Sequence, residues 1–191
     1  MNDRFVILGV ALLIAVAGCS KRETPQSPTD TQQTNATTPA PAIDACALLT
    51  SKEIESVQGE PIKETKPSGQ SDGGLTVSQC YFALPTFVNS ISLRVVRKSD
   101  GPGGRDPKQV WEETFAPDKL QEMERGGEKK KMPPQKIEGL GDAAFWMGSP
   151  AGGLYARKGN SYIRISIGGG HDQETKIKKT KDLAQMVLNR L

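Results

Sequence analysis

The chain has 191 residues, 36% hydrophobic and 25% charged, with 25 basic and 22 acidic side chains and a net charge of +3. That balance is too mild to point to nucleic acid, which calls for a concentrated basic surface. Roughly 150 residues follow a polar N-terminal stretch, enough for one domain with its own core. From the N-terminus, residues 5–18 form an uncharged apolar run of 14 residues behind Arg4 and Asp3. At about 1.5 Å per helical residue it is too short for a hydrocarbon core of roughly 30 Å, and it has the length of a secretory signal core.

The run ends in Val16-Ala17-Gly18-Cys19. This resembles the bacterial lipobox, in which small residues admit the peptidase and the cysteine thiol takes a diacylglyceryl group. The resemblance implies a signal peptide over residues 1–18, lipid on Cys19, and the membrane as the first partner. Ser20, where an aspartate would signal retention at the inner membrane of a Gram-negative cell, resembles the class sorted to the outer membrane and facing the periplasm; in a Gram-positive cell the anchor would sit on the outer face of the cell membrane. With a second acyl chain on the new N-terminus such an anchor is stable, whereas a single chain binds only marginally.

Residues 20–42 are Ser, Thr, Gln and Pro with almost nothing apolar. A segment of that kind cannot bury enough surface to offset its ordering entropy, and it reads as a disordered tether. Fully extended it would span about 75–80 Å, and as a flexible coil nearer 26 Å. Residues 19–42 are thus anchor and tether, and 43–191 the folded domain. With Cys19 acylated, Cys46 and Cys80 remain, and in an exported protein they read as a disulfide. Free thiols or a redox pair are the alternatives, though no Cys-x-x-Cys supports the latter.

Thr50 and Glu53 form a capping box ahead of a short helix at about 51–58, with Ile54 and Val57 on one side and Gly59 placed for its C-cap. Cys80, Phe82 and Leu84 alternate up to Pro85, and Ile91, Leu93 and Val95 alternate with Ser90, Ser92 and Arg94. Both read as half-buried antiparallel strands. Asp106-Pro107 opens a second helix with Val110, Trp111 and Phe115 on its apolar side, and Leu120 and Met123 continue it beyond Pro117. Lys129, Lys130 and Lys131 read as a solvated loop, or as weak attraction to anionic headgroups or envelope polymer. Residues 137–146 bring another strand behind a glycine turn. Here a second resemblance appears, to small bacterial lipoproteins of unknown function that carry Asp-x-Cys-x-Leu-Leu-Thr (residues 44–50) and Gly-Leu-Gly-Asp-x-Ala with a later aromatic (residues 139–146). It implies an α+β domain and no particular activity.

Gly159-Asn160 is a two-residue hairpin turn. Counting outward sets Arg157 against Tyr162, Ala156 against Ile163, Tyr155 against Arg164 and Leu154 against Ile165, so every apolar residue opposes an apolar one. A one-residue slip would mix the faces. Asp172 then caps an amphipathic helix at about 173–190, with Ile177, Ala184, Val187, Leu188 and Leu191 on its apolar side. The fold class expected is α+β: a mainly antiparallel sheet with helices on one face, in the order helix, strands, helix, strands, helix.

No catalytic constellation, metal site or cofactor motif stands out. His171 is the one histidine and sits in a glycine loop, and Glu112 and Glu113 point apart on a helix. The most informative surface is the outward side of the last hairpin, where Tyr155, Arg157, Tyr162 and Arg164 make two cross-strand Arg–Tyr pairs. Arginine over tyrosine contributes roughly 0.5–1 kcal/mol at exposed sites, and both residue types are enriched in binding hot spots. That face is either held by its own pairs, covered by another segment, or free to bind an envelope protein or glycan. The leading expectation is a non-catalytic envelope lipoprotein acting as a binding module. A carrier or sensor of a small apolar ligand, and an enzyme with an unrecognised site, are the alternatives.

Overall fold

The computed structural model describes residues 43–125, 134–148 and 152–191, with Asp72 and residues 122–125 described in backbone only. The signal run, Cys19, the tether and Lys129, Lys130 and Lys131 lie outside the described residues. The described residues fall in one compact unit.

A 3-10 turn at Ala45–Leu48 leads into helix α1, Ser51–Gln58. Asp44 accepts a hydrogen bond from the Cys46 N–H and so starts the turn. Thr50 and Glu53 close the expected capping box on α1, and Gly59 ends it in the left-handed conformation at φ 84°. The antiparallel hairpin β1 (Glu64–Asp72) and β2 (Leu75–Ala83) follows, then β3 (Ile91–Lys98). Helices α2 (Pro107–Thr114) and α3 (Pro117–Arg125) come next, α2 opened by Asp106 and Pro107 as the sequence requires. Strands β4 (Gln135–Lys136), β5 (Ala143–Met147), β6 (Gly153–Lys158) and β7 (Ser161–Ile167) precede the final helix α4, Gln173–Leu188, capped by Asp172.

The seven strands form one antiparallel sheet in the order β1-β2-β3-β7-β6-β5-β4. Two meanders, β1-β2-β3 and β4-β5-β6-β7, therefore meet through their last strands. The fold class is the expected α+β one, but the helices are not confined to one face: α1 and α4 cover the inner side and α2 packs on the outer side, where its aromatic residues meet those of the strands. The register of the last hairpin is the one counted from the Gly159-Asn160 turn, with Ala156 opposite Ile163 and Tyr155 opposite Arg164.

Strand alternation gives the sheet two unlike faces. On the inner face Phe82, Ile91, Leu93, Ile163, Ile165 and Leu154 are fully buried beneath α1 and α4, which contribute Ile54, Leu183, Ala184, Val187 and Leu188 to the same core. Thr180 is also buried there, its hydroxyl satisfied by the Lys176 and Ile177 carbonyls. A disulfide joins Cys46 to buried Cys80, with 5.0 Å between their Cα atoms. It pins the N-terminal turn to the inner face of β2. In the chain-entropy view, closing a loop of this length contributes roughly 3–4 kcal/mol.

Both short motifs are accounted for by folding. In the first, Asp44 and Thr50 cap, Cys46 bridges, and Leu48 and Leu49 enter the core. In the second, Leu140 is buried and Gly141 lies so close to the Arg157 carbonyl that a Cβ would sit 2.3 Å from it. Asp142 accepts a hydrogen bond from the Gly159 N–H and pairs with Arg157, which locks the turn ahead of β5 onto the last hairpin.

Candidate binding face

The outer face of the sheet is divided. Helix α2 lies across one part of it: Trp111 meets Tyr162 and Phe145, with ring centroids 5.9 and 6.1 Å apart, and Phe115 meets Phe145 and Tyr155 at 5.3 and 5.4 Å. Trp111 and Phe115 also pack on each other at 4.3 Å, and Val77 and Val96 of β2 and β3 are buried on this face too. The apolar side of α2 seen in the sequence thus has its seat here, opposite the layer of α1 and α4. Burial pushes the Tyr162 phenol above its ordinary range, with Arg94 and Arg105 pulling the other way.

The four residues expected to present one patch share this face, and all four are half-buried, each against different neighbours. Tyr155 and Tyr162 are half-buried against Phe115 and Trp111. Arg157 is held by Asp142 at 3.1 Å and donates to the Gly159 carbonyl, leaving its side chain 15% exposed. It is part of the clamp at the hairpin end and not an open arginine. Of the alternatives the sequence leaves for this face, cover by another segment applies to part of it: α2 and Asp142 engage three of the four residues.

Arg164 is the fourth, and it is placed differently. Its guanidinium lies over the Tyr155 ring, 5.7 Å from the centroid, and contacts the Ser166 hydroxyl at 3.4 Å. It lies so flat on the neighbouring strand that a Cβ on Gly153 would stand 3.1–3.3 Å from its atoms. Directly across the β3–β7 pairing stands Arg94, exposed, with the Gln79 side-chain oxygen 3.4 Å away. Register also puts Ser92, Ser166, Gln79 and Tyr81 on this strip. Phe87, 74% exposed, borders it and meets Tyr81 at 6.5 Å. Among the described residues neither Arg94 nor Arg164 has an acidic partner. Like charges set directly opposite on a sheet repel, so this arrangement is unfavourable for the isolated fold.

Sequence reasoning misses Arg94 as a site residue, because only the pairing of β3 with β7 brings it beside Arg164. Its sole signal is an arginine in the polar phase of the alternating strand. The other polar groups singled out in the sequence are absorbed locally. His171 shares a hydrogen bond with Lys179, which also reaches Gln58, and Asp172 is lowered from its usual carboxylate range by its cap to Thr175. Glu112 and Glu113 pair outward with Lys108 and Arg105. Among the described residues no group of three or more His, Cys, Asp or Glu is placed to hold a metal ion, and no helix is long and apolar enough to cross a membrane. No protein-family model matches the chain, nor does any curated protein or solved structure.

Proposed function

We propose that the chain is a lipoprotein of the bacterial cell envelope, anchored through lipid on Cys19, whose domain is a non-catalytic binding module. The anchor reading rests on the 14-residue apolar run, the lipobox-like Val16 to Cys19 and the polar tether behind it. The Cys46–Cys80 disulfide supports an oxidising compartment outside the cytoplasm. Ser20 favours sorting to the outer membrane, with the domain held off the bilayer by the tether. The binding reading is carried by one observation: Arg94 and Arg164 face each other on the open part of the sheet, with no acid among the described residues to neutralise them.

Two measurements test this. Metabolic labelling with a fatty acid should mark the wild-type protein and leave Cys19→Ala unmarked and unprocessed; equal labelling of both would sink the anchor. A photo-cross-linking residue at Ser92, on the open face, should form adducts in intact cells. The same residue at exposed Lys52, on α1 beyond the other face, should not. Equal adducts at both positions, or none at Ser92, would refute a binding face.

A further inference from the structure

We propose that the open strip of the outer face recognises a carboxylate-bearing polysaccharide, with Arg94 and Arg164 taking its acid groups. This inference rests on the reading of that face as a binding surface and names what it binds. A planar guanidinium matches a carboxylate by a pair of parallel hydrogen bonds, which a lysine cannot supply. Two of them stand opposite each other on adjacent strands, and each is positioned by neutral neighbours. Arg164 lies against Gly153, Tyr155 and Ser166, and Arg94 against Gln79. An incoming anion thus meets donors already in place and relieves the repulsion between them.

The surroundings select the kind of acid. Peptide and protein partners draw most of their energy from Trp, Tyr and Arg side chains seated in well-packed, desolvated pockets. Here the strip is a flat strand pair carrying hydroxyls and an amide, Ser92, Ser166 and Gln79, suited to sugar hydroxyls. Tyr81 and Phe87 at the border offer ring faces to the C–H surface of a pyranose. A polymer with an acid on successive sugars can engage both arginines at once, and multivalency then adds to the affinity.

The test uses the full-length lipidated protein in detergent micelles, titrated with polygalacturonate, with its methyl-esterified form as the uncharged control and with poly-glutamate as a peptide carrying the same acid. Polygalacturonate should bind and the ester should not. Arg94→Gln or Arg164→Gln should weaken binding at least tenfold, and the double variant should abolish it. Lys52→Gln with Lys178→Gln, which removes the same charge from exposed helical positions elsewhere, should leave affinity unchanged. Gly153→Ala should weaken binding severalfold although both arginines remain, because its Cβ displaces the Arg164 guanidinium. Equal affinity for poly-glutamate, binding of the ester, or an unaffected double variant would overturn the proposal. If Ser92 still cross-links in cells while no polysaccharide binds, the ligand class is wrong and the face stands. If Ser92 does not cross-link, the face itself is wrong.

Discussion

On the inner face of the sheet, Leu93, Ile163 and Ile165 lie under α1 and α4 at 0% exposure. One residue along the same strands, Arg94 and Arg164 look outward onto a surface that α2 covers only in part. The strands alternate in the same way on both sides, so alternation alone does not decide what becomes of a face. The inner one is closed by two helices, a disulfide and a dense apolar core. The outer one is closed where Trp111 and Phe115 reach and left polar where they do not. Its closed part is the more aromatic, and its open part carries two arginines with no acidic partner among the described residues.

The largest expected effect comes from placing a charge on the closed side. Ile163→Asp buries a carboxylate among Val95, Ala156 and their neighbours without a partner, and should cost at least about 4 kcal/mol and unfold the domain. Trp111→Ala strips the aromatic cover from the outer face and should cost about 3 kcal/mol, with the inner core intact. Denaturant unfolding of the two variants checks the order. If Trp111→Ala were as damaging as Ile163→Asp, α2 would be part of the main core and the two faces would not differ as described.

The features legible in the sequence are the local ones. The register of the last hairpin follows from a Gly-Asn turn between two alternating strands. The capping box at Thr50 and the Asp106-Pro107 start of α2 are local too. Strand β1 escapes such reading because Glu64–Asp72 contains no apolar residue and includes Pro67 and Gly69. It is an edge strand whose pairing to β2 alone defines it. The seat of α2 and the meeting of Arg94 with Arg164 are equally hidden. Both depend on β3 pairing with β7 across a long stretch of intervening chain, and no periodicity records that contact.

A smaller effect lies in the helical layer of the closed side. Arg190, just beyond α4, donates to both carboxylate oxygens of Glu53 and to the Leu48 carbonyl, tying the C-terminus to the start of α1. The hydrogen bonds from Arg190, set against a partial burial that opposes them and helped by those from Thr50, bring the Glu53 pKa down from 4.5 to about 2. A carboxyl lowered by folding adds stability that is full above about pH 4.5 and is lost as pH falls towards 2. Glu53→Gln should therefore cost on the order of 1 kcal/mol at neutral pH, given the solvent screening of such a pair, and close to nothing at pH 2. Thermal melts of both proteins from pH 7 to pH 2 should converge at the acid end. Parallel curves would show that the tie does not depend on the Glu53 charge.

The smallest effect is the one that most directly divides the faces. Arg94 is exposed, has no acidic partner among the described residues, and stands opposite Arg164. If the fold itself has no use for that charge, Arg94→Gln should leave stability within about 0.5 kcal/mol of the wild type, and should raise it if the cross-strand repulsion dominates. For a domain of this size that is a shift of about 1–2 °C in Tm. Salt supplies the control, because exposed charges are screened over about 10 Å at 0.1 M and about 3 Å at 1 M. The wild-type Tm should climb towards that of Arg94→Gln as sodium chloride increases, and the gap between the two should close. A loss of more than about 1 kcal/mol in Arg94→Gln, unaffected by salt, would mean that the guanidinium is a structural member of the outer face. The open strip would then serve folding just as the inner core does, and its charge would not be waiting for a ligand.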